Sequence, residues 1–179
     1  MRVRAAYVTD APAIARVQVE SWRTTYAGIV PADYLANLSY EQQGQFWEHV
    51  ASTVCGPAAL YVAEGASGEI TGFASSGTER TGHPLYTGEL YAIYLLADCQ
   101  RHGVGRQLFQ AVVDGLLQHG LSTMLVWVLA DNPARAFYET LGGQYVTEQE
   151  IMIGNAQLKE VAYGWRDIHG LGSQPPMLC

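Results

Sequence analysis

Gln100-Arg101-His102-Gly103-Val104-Gly105 is the stretch whose residue types and spacing point most directly to chemistry. It follows an apolar, strand-like segment over 89–96 and opens an amphipathic helix over 104–117. A strand that runs through a glycine turn into a helix gathers several backbone N–H groups at one point. The aligned peptide dipoles add partial positive charge there, which suits a phosphate or pyrophosphate. The two glycines let such a ligand approach the main chain with no Cβ in between. The stretch is not a P-loop, because Gly-x-x-x-x-Gly-Lys-Ser/Thr is absent. Nor is it a dinucleotide fingerprint, because Leu108 stands where a third glycine is needed. A second segment, Asn132 to Gly143, follows strand-like residues 124–129. Asn132 is a candidate cap, Pro133 suits the first helical position, and Gly142 or Gly143 ends the helix. Read locally, Asn132 is only a cap and Tyr138 only an amphipathic surface residue.

Together the two segments resemble the GNAT superfamily of N-acetyltransferases, which carries Gln-x-x-Gly-x-Gly after a strand and, later, Asn-x-x-Ala-x-x-Phe-Tyr-x-x-x-Gly. The resemblance extends over residues 1–168 and implies acetyl-CoA as cofactor. It implies that Gln100, Arg101, His102, Gly103, Val104, Gly105 and Arg106 hold the diphosphate. Tyr94, Leu95 and Leu96 match the strand end whose free backbone groups pair with the pantetheine amides, one N–H polarising the thioester carbonyl. Asn132 matches the residue that contacts the pantetheine arm. Tyr138 matches the one beside the sulfur, as general acid or as hydrogen-bond donor. Ala97 stands where the family commonly has proline, which only stiffens that exit. Glu89 matches an acid that faces the acceptor amine through water in similar members; as an isolated charge it also reads as a solvated strand end. Trp127 stands where some relatives carry a glutamate base, so the base is either Glu89 or water.

The reaction implied is direct transfer of an acetyl group to a primary amine. An alkyl ammonium with a pKa of about 10.4 leaves roughly one molecule in a thousand nucleophilic near pH 7. The site must therefore accept a proton and later return one to the thiolate. Trp22, Tyr26 and Ile29 around the first helices, with Tyr163 on the last strand, are candidate acceptor contacts; the plain alternative for each is core packing. A small-molecule amine is the favoured acceptor. The alternatives are a protein N-terminus or lysine, or a module that binds acyl-CoA without turnover.

The elements that must position these residues follow from periodicity. Strands are expected over 2–8, 59–64, 70–76, 88–96, 123–129, 144–153 and 158–168, and helices over 10–24, 32–38, 41–52, 104–119 and 133–141. Asp10 and Ser39 are candidate caps, and Gly65–Gly68 turns a hairpin. The fold class is α/β (α+β by some schemes): a mixed, mostly antiparallel sheet of about seven strands with helices on both faces. Strands 88–96 and 123–129 flank a helix and should run parallel; the resemblance implies that this pair splays apart. Strict alternation puts Glu89, Tyr91 and Ile93 on one face of their strand and Leu90, Ala92 and Tyr94 on the other. Residues 1–168 make a single domain, with 169–179 expected as a flexible tail.

Composition narrows the partners. A net charge of −7 argues against nucleic acid, and no apolar run is long enough to span a membrane. Cys55, Cys99 and Cys179 are odd in number and far apart, reading as reduced thiols of a cytoplasmic protein. The five histidines show no ligand spacing, so no metal is expected. Apolar residues on the final strands suggest a homodimer.

Overall fold

The computed structural model of the chain describes residues 1–172. Seven strands form one sheet: β1 (Arg2–Ala5), β2 (Ala59–Glu64), β3 (Ile70–Thr78), β4 (Gly88–Leu95), β5 (Met124–Leu129), β6 (Gln144–Ile153) and β7 (Ala156–Trp165). Their order across the sheet is β1-β2-β3-β4-β5-β7-β6. Every neighbouring pair is antiparallel except β4 and β5, which run parallel as expected of two strands joined through a helix.

Five helices cover the sheet: α1 (Ala11–Thr25), α2 (Ala32–Ala36), α3 (Tyr40–Thr53), α4 (Val104–Gln118) and α5 (Arg135–Thr140). On one face, Leu108, Val112, Val113 and Leu116 of α4 bury against Ala63, Ala74, Leu90 and Val126 of the strands. On the other, Ile14 and Val17 of α1 and Trp47 of α3 bury against Leu60, Val62 and Phe73. Ser39 caps α3 as expected, its hydroxyl accepting from the Gln42 N–H at 3.2 Å. Asp10 does not cap α1. Its carboxylate accepts from the Tyr7 N–H at 2.7 Å and pairs with Arg4 at 2.7 Å, so β1 ends early and a 3-10 turn over Val8–Asp10 precedes the helix. The last helix likewise spans only Arg135–Thr140, because Asn132 to Ala134 form a tighter turn before it. At the other end His169–Gly172 form a short 3-10 turn, with Leu171 against the α4 core; the rest of the expected tail, 173–179, lies outside the described residues.

The feature that shapes the centre of the sheet is a bulge in β4. Ala92 pairs with Ser75 and Leu90 with Ser76, which leaves Tyr91 as an extra residue. Strict alternation therefore fails. Leu90 and Ile93 pack toward α4, whereas Ala92 and Tyr94 pack toward α1 and α3. The parallel ladder with β5 stops at the same place, its last pair being Leu90 with Val126. Beyond that pair the two strands separate.

Helix α4 holds the loop before it against this opening, and Leu108 is fully buried in its second turn. Leu108→Ala should cost about 2–5 kcal/mol through lost burial and a residual cavity. Urea denaturation measures this, and a loss under about 1 kcal/mol would show that α4 is not held by that contact.

Candidate active site

The gap between β4 and β5 opens into a cleft of about 690 Å³. Its walls combine the two strand ends, the loop before α4, the turn before α5 and the last turn of α1. Of the expected residues, Tyr26, Tyr94, Leu95, Gln100, Arg101, Gly103, Gly105, Arg106, Asn132 and Tyr138 all border it.

The loop end is built from main chain. Arg101 adopts φ 63° and Gly103 φ 81°, so the chain turns twice through the left-handed region before entering α4. None of the N–H groups from Arg101 to Arg106 has a protein partner among the described residues. Six donors at the positive end of a helix make an anion cradle. A Cβ on Gly105 would lie 3.3 Å from Leu95 and 3.5 Å from Phe137, so glycine here lets α4 sit tight against β4 and α5. The Arg101 and Arg106 side chains border the cleft, but the His102 side chain does not. It faces a separate depression with Met1 and Cys99, so only the His102 main chain belongs to the loop's row of N–H groups. The same holds for Val104, whose side chain is buried in the core.

The strand edge corrects one expectation. The Leu96 N–H donates to the Thr71 carbonyl at 2.9 Å, which fixes the phase of the antiparallel ladder. The pairing register then commits the backbone groups of Tyr94 to Phe73 and of Leu96 to Thr71. Ile93 and Leu95, not Tyr94 and Leu96, turn their backbone groups toward β5. The Leu95 carbonyl already accepts from the buried Ser21 hydroxyl at 3.0 Å and from the Gln100 side-chain amide at 3.2 Å. What stays open is the Leu95 N–H and both groups of Ile93. Gln100 thus braces the strand end, and neither Ser21 nor Ile93 carried a motif that could have flagged it.

Asn132 and Tyr138 are buried, which sets aside the purely local reading of both. The Asn132 carbonyl oxygen accepts from the Ala134 N–H at 2.8 Å, and its amide donates to the Tyr26 hydroxyl at 3.2 Å. Burial, with Tyr94 alongside, pushes the Tyr138 phenol well above its ordinary value. Burial raises Tyr94 and Tyr26 as well. All three hydroxyls therefore stay protonated and act as donors at neutral pH.

Glu89 is in a different position from the one a free base requires. It is 1% exposed, and both its oxygens accept from Arg80, through the Nη2 at 2.5 Å and the Nε and main-chain N–H at 3.2 and 3.1 Å. The same guanidinium lies 4.1 Å over the ring of Tyr91, whose hydroxyl donates to the Thr78 carbonyl at 2.6 Å. Glu89 sits in the paired part of β4, opposite Leu125, and does not border the cleft. As arranged, it anchors the β3–β4 loop, its oxygens held by Arg80.

Three of the expected acceptor contacts also move. Trp22 packs on Tyr26 at 4.8 Å and on Tyr34 at 6.1 Å behind the cleft wall, with Ile29 in the same cluster. Tyr163 is buried under α5, its hydroxyl donating to Glu139 at 2.5 Å and accepting from Arg135 at 3.0 Å. Strand parity and aromatic type alone could not show that it faces α5 and not the opening. Trp127 does border the cleft. Among the described residues no group of three or more His, Cys, Asp or Glu could hold a metal ion, and no helix is long and apolar enough to cross a membrane.

Comparison with known proteins agrees with this geometry. The family described as FR47-like protein matches residues 81–152, which contain β4, the loop and α5. The chain is 43% identical over 169 residues to the uncharacterized N-acetyltransferase YuaI of Bacillus subtilis (strain 168), covering 94% of this chain and 95% of that protein. The fold is shared with PaiA N-acetyltransferase of Thermoplasma acidophilum in complex with coenzyme A, at TM-score 0.70 and 19% identity over 89% of this chain and 96% of that one. It is shared equally with YncA of Salmonella typhimurium with its cofactor acetyl-CoA, at TM-score 0.71 and 20% identity over 100% and 99%.

Two consequences can be measured. Arg80→Ala strands a buried carboxylate and should destabilise the fold by roughly 3 kcal/mol in urea titration; an unchanged midpoint would mean that the pair is not structural. The raised tyrosines favour the protonated phenol in the folded state, so their contribution is complete below the ordinary value of about 10 and is lost as pH rises through the raised values. Thermal melts of wild type should therefore fall more steeply above pH 10 than those of Tyr94→Phe/Tyr138→Phe, and parallel curves would contradict this.

Proposed function

The chain belongs to the GNAT family of N-acetyltransferases, and from that premise we propose that it moves an acetyl group from acetyl-CoA directly to a primary amine of a small molecule. The observation that carries the proposal is the continuity of three features along one cleft: six unpartnered loop N–H groups, the open edge of Ile93 and Leu95, and the buried phenol of Tyr138. These fit a diphosphate, an extended amide-bearing arm and a thioester sulfur in that order. Bound acetyl-CoA would supply an activated acyl group on a good leaving group.

The residues have separable tasks. The loop N–H groups, with Arg101 and Arg106, hold the diphosphate. The Leu95 N–H and both Ile93 groups lack a β5 partner and receive the arm in its place, as if it were a strand. Asn132 fixes the turn that carries Tyr138 and keeps Tyr26 against it. Tyr138 donates to the sulfur as the C–S bond breaks; the amine forms the new C–N bond and gives up its proton to water. A phenol is a weaker acid than a thiol in water, so this donation depends on the dry surroundings of Tyr138.

A small acceptor is supported by how the far end of the cleft is closed. Leu129 at the end of β5, with Ile151, Ile153 and Leu158 of the last two strands, packs on Tyr26, Val30 and Leu35 around α2. The hairpin turn at Gly154 lies against Tyr34, where a Cβ would come within 3.2 Å. An extended peptide needs an open-ended groove, and the contact of the hairpin with the α2 region supports a smaller acceptor. Homodimer formation belongs to the same reading, supported by exposed Tyr145 and Met152 on the edge strand β6. Action in the cytoplasm belongs to it too, supported by the free thiols of Cys55 and Cys99.

Tyr138→Phe tests the reading. It should lower kcat by about 10²-fold or more while the affinity for coenzyme A changes less than about twofold. Steady-state kinetics with a thiol-release assay, alongside calorimetry, separates the two. Equal loss in both, or in neither, would remove Tyr138 from its assigned place.

A further inference from the structure

The charge inventory of the cleft says what kind of amine it can receive. Arg101 and Arg106, both at the loop end, are the charged side chains among those that border it. Among the described residues no carboxylate borders it. Where β4 and β5 part, at the end the acceptor must reach, the walls are Tyr26, Tyr91, Ala92, Val126 and Trp127, all uncharged.

The titratable groups around this end offer no base. Tyr26 comes from the end of α1, Tyr91 and Tyr94 from β4, and Tyr138 from α5; burial raises all four, so each keeps its proton. The carboxylate behind β4, Glu89, has both oxygens taken up by Arg80. From β5 the facing groups are Val126, Trp127 and Val128, none of which titrates at neutral pH. An ammonium ion entering here would lose its hydration and gain no counter-ion, which is costly.

We propose that the acceptor is a weakly basic primary amine with a substantial uncharged fraction near neutral pH, of the kind found in α-amino amides and aromatic amines, and that alkylammonium ions are selected against. The inference rests on the acetyl-transfer reading and narrows it. A neutral amine needs no deprotonation before it attacks. As the C–N bond forms and the C–S bond breaks, one proton leaves the nitrogen for water, and the departing sulfur takes one from Tyr138, which solvent replaces. The aromatic walls suit a flat or apolar substituent next to the amine.

The experiment compares three primary amines of similar size as acceptors for acetyl-CoA between pH 6.5 and 9.5: 2-phenylethylamine, phenylalaninamide and 4-methylaniline. With amine pKa values of about 10.4 for the alkyl compound and about 7.7–8.0 for an α-amino group, the neutral fractions at pH 7 differ on the order of 300-fold. At that pH kcat/KM for phenylalaninamide should exceed that for phenylethylamine by about 100-fold or more. The phenylethylamine value should rise about tenfold per pH unit, and the amide value should bend near pH 8 and level off by about pH 9. Binding is read separately by calorimetry on the coenzyme A complex at pH 7 in buffers of different ionisation heat, where phenylethylamine should release about one proton per molecule bound. If only one of the two weak bases is acetylated, it identifies the source and supports the inference. Preference for phenylethylamine at pH 7, or its binding without proton release, overturns the inference and leaves the acetyltransferase reading standing. Intact coenzyme A binding with no transfer to any of the three amines would overturn both.

Discussion

One residue too many in β4 is the constraint on which the rest depends. Tyr91 has no partner across the ladder, so the strand bends and its parallel pairing with β5 ends at Leu90 and Val126. A parallel pair in the middle of a sheet would ordinarily continue, because unpaired main-chain groups are costly when buried. Here the cost is tolerated along Ile93 and Leu95, and what results is a slot shaped for an extended polar chain. The loop before α4 and the turn before α5 are brought to the two ends of that slot by the helices and strands that flank it.

The neighbours of the bulge hold it in place. Arg80 reaches back from the β3–β4 loop to grip Glu89 and lies flat on Tyr91, while the Tyr91 hydroxyl returns to Thr78. Gly77, opposite Glu89, leaves room for the Tyr91 ring, since a Cβ there would meet its hydroxyl at 2.5 Å. On the far side Ser21 of α1 holds the Leu95 carbonyl, and Gln100 doubles that contact. The opening is thus pinned at both its start and its end. Electrostatics follow from the same arrangement: an acidic chain keeps its carboxylates out of the cleft and concentrates positive charge at the loop.

Much of this was legible in the sequence. Seven strands with a parallel pair joined through α4, the glycine loop and the turn that carries Asn132 and Tyr138 could be read because each depends on local chemistry: periodicity, turn residues and caps. Loop residues Arg101, Gly103 and Gly105 and the motif residues Asn132 and Tyr138 border one cleft, as does Tyr26, a candidate acceptor contact. What could not be read depends on pairing across the chain. A bulge is a property of two strands, and period-two alternation in β4 alone assigns Ile93 and Leu90 to opposite faces when they share one. Glu89 looks like a free acid until Arg80 is folded onto it. Tyr163 looks like a pocket aromatic until register with β5 and β6 fixes which face it takes.

The central claim is that the open edge of β4 receives the pantetheine arm as a substitute strand. A crystal structure of the chain with coenzyme A tests it most directly. The account predicts hydrogen bonds from the arm's amides to the main chain of Ile93 and Leu95, with the diphosphate against the N–H groups of residues 101–106. An arm bonded elsewhere, or β4 and β5 closed together with the ligand outside them, would contradict it.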